Sequence, residues 1–145
     1  TLMLLLVHFG WGKPVIFDPY NLAHPRRDAG IISIAGPLSN LLLAIFLSIL
    51  LRLTPIPDAF AALFYIVILL NISLAVFNLV PVYPLDGEKI LAAILPRDLA
   101  YEYQAVMSRY GMIILILMIL PLFGSSPVIS LITPAIDFLT HLLLR

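Results

Sequence analysis

Two long apolar stretches, Gly30 to Leu51 and Ala59 to Val80, restrict what this chain can become more than any other feature. Each holds 22 residues. At about 1.5 Å of rise per residue, a helix of that length covers about 33 Å, enough to cross the hydrocarbon core of a bilayer. Two shorter runs, Gly111 to Phe123 and Val128 to Leu144, follow and read as a helical hairpin. The chain is 62% hydrophobic and 11% charged. A soluble domain carries about 25% charged residues, so the expected class is all-α, a polytopic transmembrane helical domain. Residues 1–145 are expected to form one membrane-embedded unit, with the lipid bilayer as its surroundings. Eight basic and eight acidic residues cancel, so no global charge points to nucleic acid. With no cysteine, disulfides and thiolate metal sites are excluded.

The chain opens inside an apolar run, Thr1 to Val7, without a Met start or a charged leader. It reads as an internal fragment truncated upstream. Trp11 and Lys13 suit a headgroup interface, one as an aromatic anchor and the other by snorkelling. Val15 to Asp28 is rich in turn residues and is expected to be a loop. Within the first span, Ser33, Pro37, Asn40, Ala44 and Ser48 recur at steps of three or four and so share one helix face. Small and polar residues on one face let neighbouring helices approach closely. Asn71, Ala75 and Asn78 do the same in the second span. Beyond Pro96, an amphipathic piece with Leu99, Tyr103, Val106, Met107 and Tyr110 on one side is suited to the membrane interface.

Basic residues suggest an orientation. Lys13, Arg26 and Arg27 lie before the first span, and Lys89, Arg97 and Arg109 lie after the second. The positive-inside rule assigns both groups to the cytoplasm, and Arg145 with them. Asp86 then lies toward the cytoplasmic side.

The second span ends in Phe77-Asn78-Leu79-Val80-Pro81-Val82-Tyr83-Pro84-Leu85-Asp86-Gly87. Proline removes a backbone donor and crowds the preceding turn, so the helix is expected to break at Pro81. The freed carbonyls near Phe77 and Asn78 then need partners, which lipid cannot supply. A carboxylate at such a break is costly and reads as functional by default. Asp86 could be a metal ligand, an ion or proton site in a transporter, or a helix cap with Gly87 supplying the turn.

Asn78 to Gly87 resembles the second signature of the site-2 protease family of intramembrane zinc metalloproteases. Gly36-Pro37-Leu38-Ser39-Asn40 resembles that family's Gly-Pro-x-x-Asn segment. Gly10-Trp11-Gly12-Lys13-Pro14-Val15, with Asn21 and Pro25-Arg26-Arg27-Asp28, is similar to the loop of its short bacterial branch. No PDZ-like insertion separates the Asn40 helix from Asp86, in keeping with that branch, and the resemblance fades beyond Leu95. It implies that Asp86 is a protein ligand of a catalytic zinc. The two histidine ligands and the glutamate base would come from an upstream H-E-x-x-H helix that is not in this sequence. It also implies that Asn40 holds substrate or a developing oxyanion. Asn78 could hold an extended substrate backbone, with Pro84 beside it, or cap the broken helix. The implied activity is hydrolysis of peptide bonds in or near transmembrane segments of membrane proteins, in a bacterial cell membrane. A transporter subunit or an inactive scaffold is the alternative.

Other candidates weigh less. The histidines are His8, His24 and His141, and none has another histidine four residues away. Asp137 and His141 have ligand spacing but form only a pair. His8 fits an interfacial position and His24 a solvated loop. Tyr83 suits a substrate groove or an interface.

Overall fold

The computed structural model describes residues 24–121 and 124–144. Among the described residues there are five helices and no strand: α1 (Pro25–Leu53), α2 (Asp58–Asn78), α3 (Asp86–Ile94), α4 (Arg97–Ile119) and α5 (Pro127–Leu144). Four of them, α1, α2 from Phe60, α4 and α5, are long and apolar enough to cross a membrane. Their outward faces carry large apolar side chains, with Phe46 at 61% and Phe138 at 67% exposure. Such surfaces suit lipid and would be unfavourable in water. The readings placed on His8, Trp11 and Lys13 lie outside the described residues.

α1 starts at Pro25, so the loop expected to reach Asp28 ends at His24. Proline fits the first helical position, where a missing N–H costs nothing. The Asp28 carboxylate accepts the His24 N–H at 2.9 Å, and the Asp28 N–H donates to the His24 carbonyl at 2.9 Å. These two bonds close the first turn two residues before the apolar run begins.

The small-residue face of α1 is the inner face. Ser33, Pro37, Ala44 and Ser48 are buried, and Asn40 is half-buried. Ala44 packs with Ile68 and Ile72 of α2. α3 lies against the first half of α1 and runs antiparallel to it, with Ala93 at Gly30 and Asp86 at Gly36. A side chain on Gly30 would overlap the Ala93 Cβ, so glycine sets how closely the two helices approach.

α2 ends at Asn78, short of the Val80 expected from sequence. The residue before a proline is itself disfavoured in α conformation, so the helix is lost before Pro81 is reached. The freed carbonyls find protein partners. Phe77 O accepts the Val80 N–H at 3.1 Å, and Pro81 O accepts the Tyr103 hydroxyl at 2.7 Å.

The C-terminal part departs most from expectation. The amphipathic piece and the following apolar run form one continuous α4. Its inner stripe is Ala100, Tyr103, Met107, Gly111 and Leu115, whereas Leu99, Val106 and Tyr110 are exposed. α5 begins among Val80, Val82 and Leu85, and ends beside the far end of α1. There Arg52 Nη2 donates to Leu143 O at 2.9 Å and Leu142 O at 3.3 Å, and Ser48 Oγ also donates to Leu143 O. α5 therefore runs parallel to α1. α5 ends at Leu144, opposite the end of α1 that carries Arg26 and Arg27, and the reading placed on Arg145 lies outside the described residues.

Candidate functional site

Asp86 is the first residue of α3, and Leu85 is the N-cap. No side-chain capping bond is made at that helix start, and Gly87 has no left-handed backbone. The cap-and-turn reading of Asp86-Gly87 is therefore corrected. Gly87 is glycine for a different reason: a Cβ there would overlap the carbonyl oxygens of Leu79 and Val80. The absent side chain lets α3 fold back onto the end of α2.

That fold-back aims Asp86 at α1. Its Oδ2 lies 3.2 Å from where a Cβ on Gly36 would stand. Asn40 is one helical turn further along the same face of α1, so the carboxylate and the amide share one strip of the helix. The sequence placed these residues in separate motifs, and the fold brings the motifs together.

Among the described residues, no hydrogen bond holds these two side chains, and Thr140 Oγ1 is likewise buried without a partner. Most other polar side chains on the apolar helices are satisfied by backbone. Asn71 donates to Val67 O at 2.8 Å, Asn78 to Leu74 O at 2.9 Å, Ser39 to Ala35 O at 2.6 Å, and Ser126 to Met118 O at 2.8 Å. Among the described residues, Asp86 and Asn40 have no hydrogen-bond partner. Both are half-buried. A half-buried carboxylate without a protein donor is open to a cation or another donor. As a hard, acceptor-only oxygen donor, it suits a divalent metal.

Glu88, two residues further along α3, is a second carboxylate, itself buried. No group of three or more His, Cys, Asp or Glu comes together among the described residues. Asp137 and His141 are exposed on α5 toward the Arg52 end, away from Asp86. His24 stands at the start of α1, where its backbone serves the first turn.

Pro84 is exposed and follows a cis Tyr83–Pro84 bond. Asn78 sits at the last position of α2 with its amide bonded within the helix. Glu88 escaped notice in the sequence. It is 7% exposed, and burial pushes its carboxyl above the ordinary 4.5, with the neighbouring Lys89 charge opposing. Its spacing carried no signal, because burial there depends on α3 folding back.

The break segment lies inside the part of the chain that known proteins share. The sequence model of peptidase family M50 matches residues 55–118. YwhC of Bacillus subtilis (strain 168), named as a zinc metalloprotease, is 33% identical over 131 residues, or 84% of this chain and 60% of its own length. Zinc metalloprotease MJ0392 of Methanocaldococcus jannaschii is 39% identical over 77 residues, which is 53% of this chain and 23% of that protein. A third relative, sll0528 of Synechocystis sp., is 38% identical over 67 residues, 46% of this chain and 18% of its own. The chain thus spans less than two thirds of each of these relatives. No solved structure matches it. The family match runs through α2, the Asp86 break and most of α4, and similarity to a named metalloprotease extends over most of the chain, so this chain is similar to peptidase family M50, the site-2 protease family.

Proposed function

We propose that this chain is the membrane-embedded part of a zinc endopeptidase that hydrolyses peptide bonds in or near transmembrane segments of other membrane proteins. The observation that carries this is the carboxylate of Asp86, half-buried, without a hydrogen-bond partner among the described residues, and held against the helix that bears Asn40. In a protein where the asparagines of α2 and several serines bond to backbone, those two side chains remain available to something else.

Asp86 is assigned the metal. Its partners in the ligand set are two histidines of an H-E-x-x-H helix upstream of residue 1, whose glutamate serves as base. Zinc held there would supply Lewis acidity toward the peptide carbonyl and lower the pKa of water toward neutrality. Asn40, a neutral donor one turn from Gly36, is assigned to the substrate carbonyl as negative charge develops on it. Pro84, exposed at the break, and Asn78, at the end of α2, are assigned to flank the unwound substrate strand. Asn78 would have to exchange its bond to Leu74 O for one to substrate. The break segment is proposed to face the cytoplasmic side of a bacterial cell membrane, with Arg26, Arg27 and Arg97 near it.

The test uses the full-length protein in detergent and in membranes. Asp86→Asn keeps the size of the side chain and removes its charge. It is expected to lower zinc content and abolish cleavage of a membrane-protein reporter, while leaving insertion intact. Zinc content and cleavage at wild-type levels in that variant would remove Asp86 from the ligand set.

A further inference from the structure

The helical hairpin beyond Leu95 carries no sequence motif, yet α4 grips the segment that delivers Asp86. Between the end of α2 and the start of α3 the chain has seven residues, Leu79 to Leu85. It is internally braced by two short bonds, Val82 N–H to Val80 O at 2.8 Å and Leu85 N–H to Val82 O at 2.9 Å. Two contacts tie it to α4. The Tyr103 hydroxyl donates to Pro81 O at 2.7 Å. Two turns further along α4, Gly111 is a notch for Tyr83: a Cβ there would stand 2.6 Å from the Tyr83 Cβ and 3.3 Å from its Cα and N. Leu115 continues the same stripe and packs with Val80, Val82 and Leu85.

These anchors occupy positions 103, 111 and 115, one face of one helix. They touch the segment at Pro81, at Tyr83 and at Leu85, the residue before Asp86. α1 meets Asp86 at the space left by Gly36. α3 itself packs along α1, and α4 holds the segment before Asp86 from the other side.

We propose that Tyr103 and Gly111 are positioning residues for Asp86, so that α4 acts as a rail setting the place of the carboxylate at α1. The effect on zinc rests on Asp86 being a ligand; the effect on the segment does not. A hydroxyl bonded to a carbonyl can be removed without changing the packing of the ring, and Tyr103→Phe does that. Gly111→Ala pushes on Tyr83 from the same face.

The experiment measures zinc affinity of full-length protein by chelator competition, thermal stability, and hydrogen exchange at the Val82 and Leu85 amides. Asp86→Asn and the lipid-facing Ile113→Ala serve as references. The expected result is that Tyr103→Phe and Gly111→Ala each weaken zinc binding by about tenfold, at the lower edge of what outer-sphere substitutions cost. Exchange should rise at Val82 and Leu85 but not within α1 or α2, with the melting temperature of Tyr103→Phe near wild type. Unchanged affinity and exchange in both variants would overturn the proposal. So would a general loss of protection with a lowered melting temperature, which would make the two residues merely structural. If Asp86→Asn binds zinc as wild type does, Asp86 is not a ligand and exchange alone decides: local release supports the rail, and its absence overturns it.

Discussion

Asp86 occupies the space that Gly36 leaves open, with its Oδ2 3.2 Å from the place of the missing β-carbon. An alanine there would press the carboxylate back by a few tenths of an ångström. In helix terms the same change is favourable, since Gly inside a helix costs roughly 0.5–1 kcal/mol relative to Ala. Gly36→Ala is therefore expected to leave thermal stability equal or higher while lowering zinc content. Gly36→Leu should abolish zinc binding altogether. Full zinc occupancy in the leucine variant would show that the carboxylate does not work from this position.

The approach of α3 to α1 offers a test of the fold itself. Gly30→Ala would drive a new methyl into the Ala93 Cβ, and into Lys89 O at 3.3 Å. Overpacking of this kind costs about 1–3 kcal/mol. Ala93→Gly in the same chain removes the closer clash, so the double variant should recover most of the loss. Thermal unfolding in detergent measures all four species. Additive effects, with no recovery, would mean that the two positions are not in contact.

Arg52 makes a prediction about topology. Its guanidinium and the Ser48 hydroxyl satisfy the last carbonyls of α5, which have no partner within their own helix. Arg52→Ala should destabilise the protein by about 1.5–3 kcal/mol, the range for a hydrogen bond to a charged group. Cysteines introduced at Thr54 and after Leu144 should also react with an impermeant thiol reagent from the same face of the membrane. A cysteine at His24 should react from the opposite face. Labelling of Thr54 and the C-terminal cysteine from different faces would refute the parallel arrangement of α1 and α5.

The sequence carried the crossing helices and the residues of the site, but not their relation to one another. Ser33, Pro37, Ala44 and Ser48 announced the inner face of α1 by spacing alone, because a helix repeats every 3.6 residues whatever it packs against. The break before Asp86 was legible because proline acts locally. Gly36 and Asp86 are 50 positions apart, and their meeting depends on α3 folding back, which Gly87 permits through a contact with carbonyls that no pattern encodes. The inner face of α4 was not legible for a related reason. Apolar residues mark Leu99, Val106 and Tyr110, yet on a helix in lipid the outward face is the apolar one. The direction of α5 was not legible either, because the bonds from Arg52 and Ser48 that fix its end join residues about 90 positions apart.

Asn40 permits a last separation of stability from function. Asn71 holds Val67 O, so Asn71→Ala gives up a hydrogen bond worth about 0.5–1.5 kcal/mol. Asn40 has no such partner among the described residues, and its loss should change stability by less than about 0.5 kcal/mol. If its amide serves the developing charge on a substrate carbonyl, Asn40→Ala should nonetheless slow cleavage by about 10²–10³-fold, as removal of one oxyanion donor does elsewhere. Zinc content should stay at the wild-type level, because Asn40 is not assigned to the metal. The pattern to look for in melting curves, metal analysis and reporter cleavage is thus a stable, metallated, slow enzyme for Asn40→Ala and a less stable one for Asn71→Ala. A melting temperature lowered as much in Asn40→Ala as in Asn71→Ala, with cleavage intact, would make Asn40 a packing residue of α1.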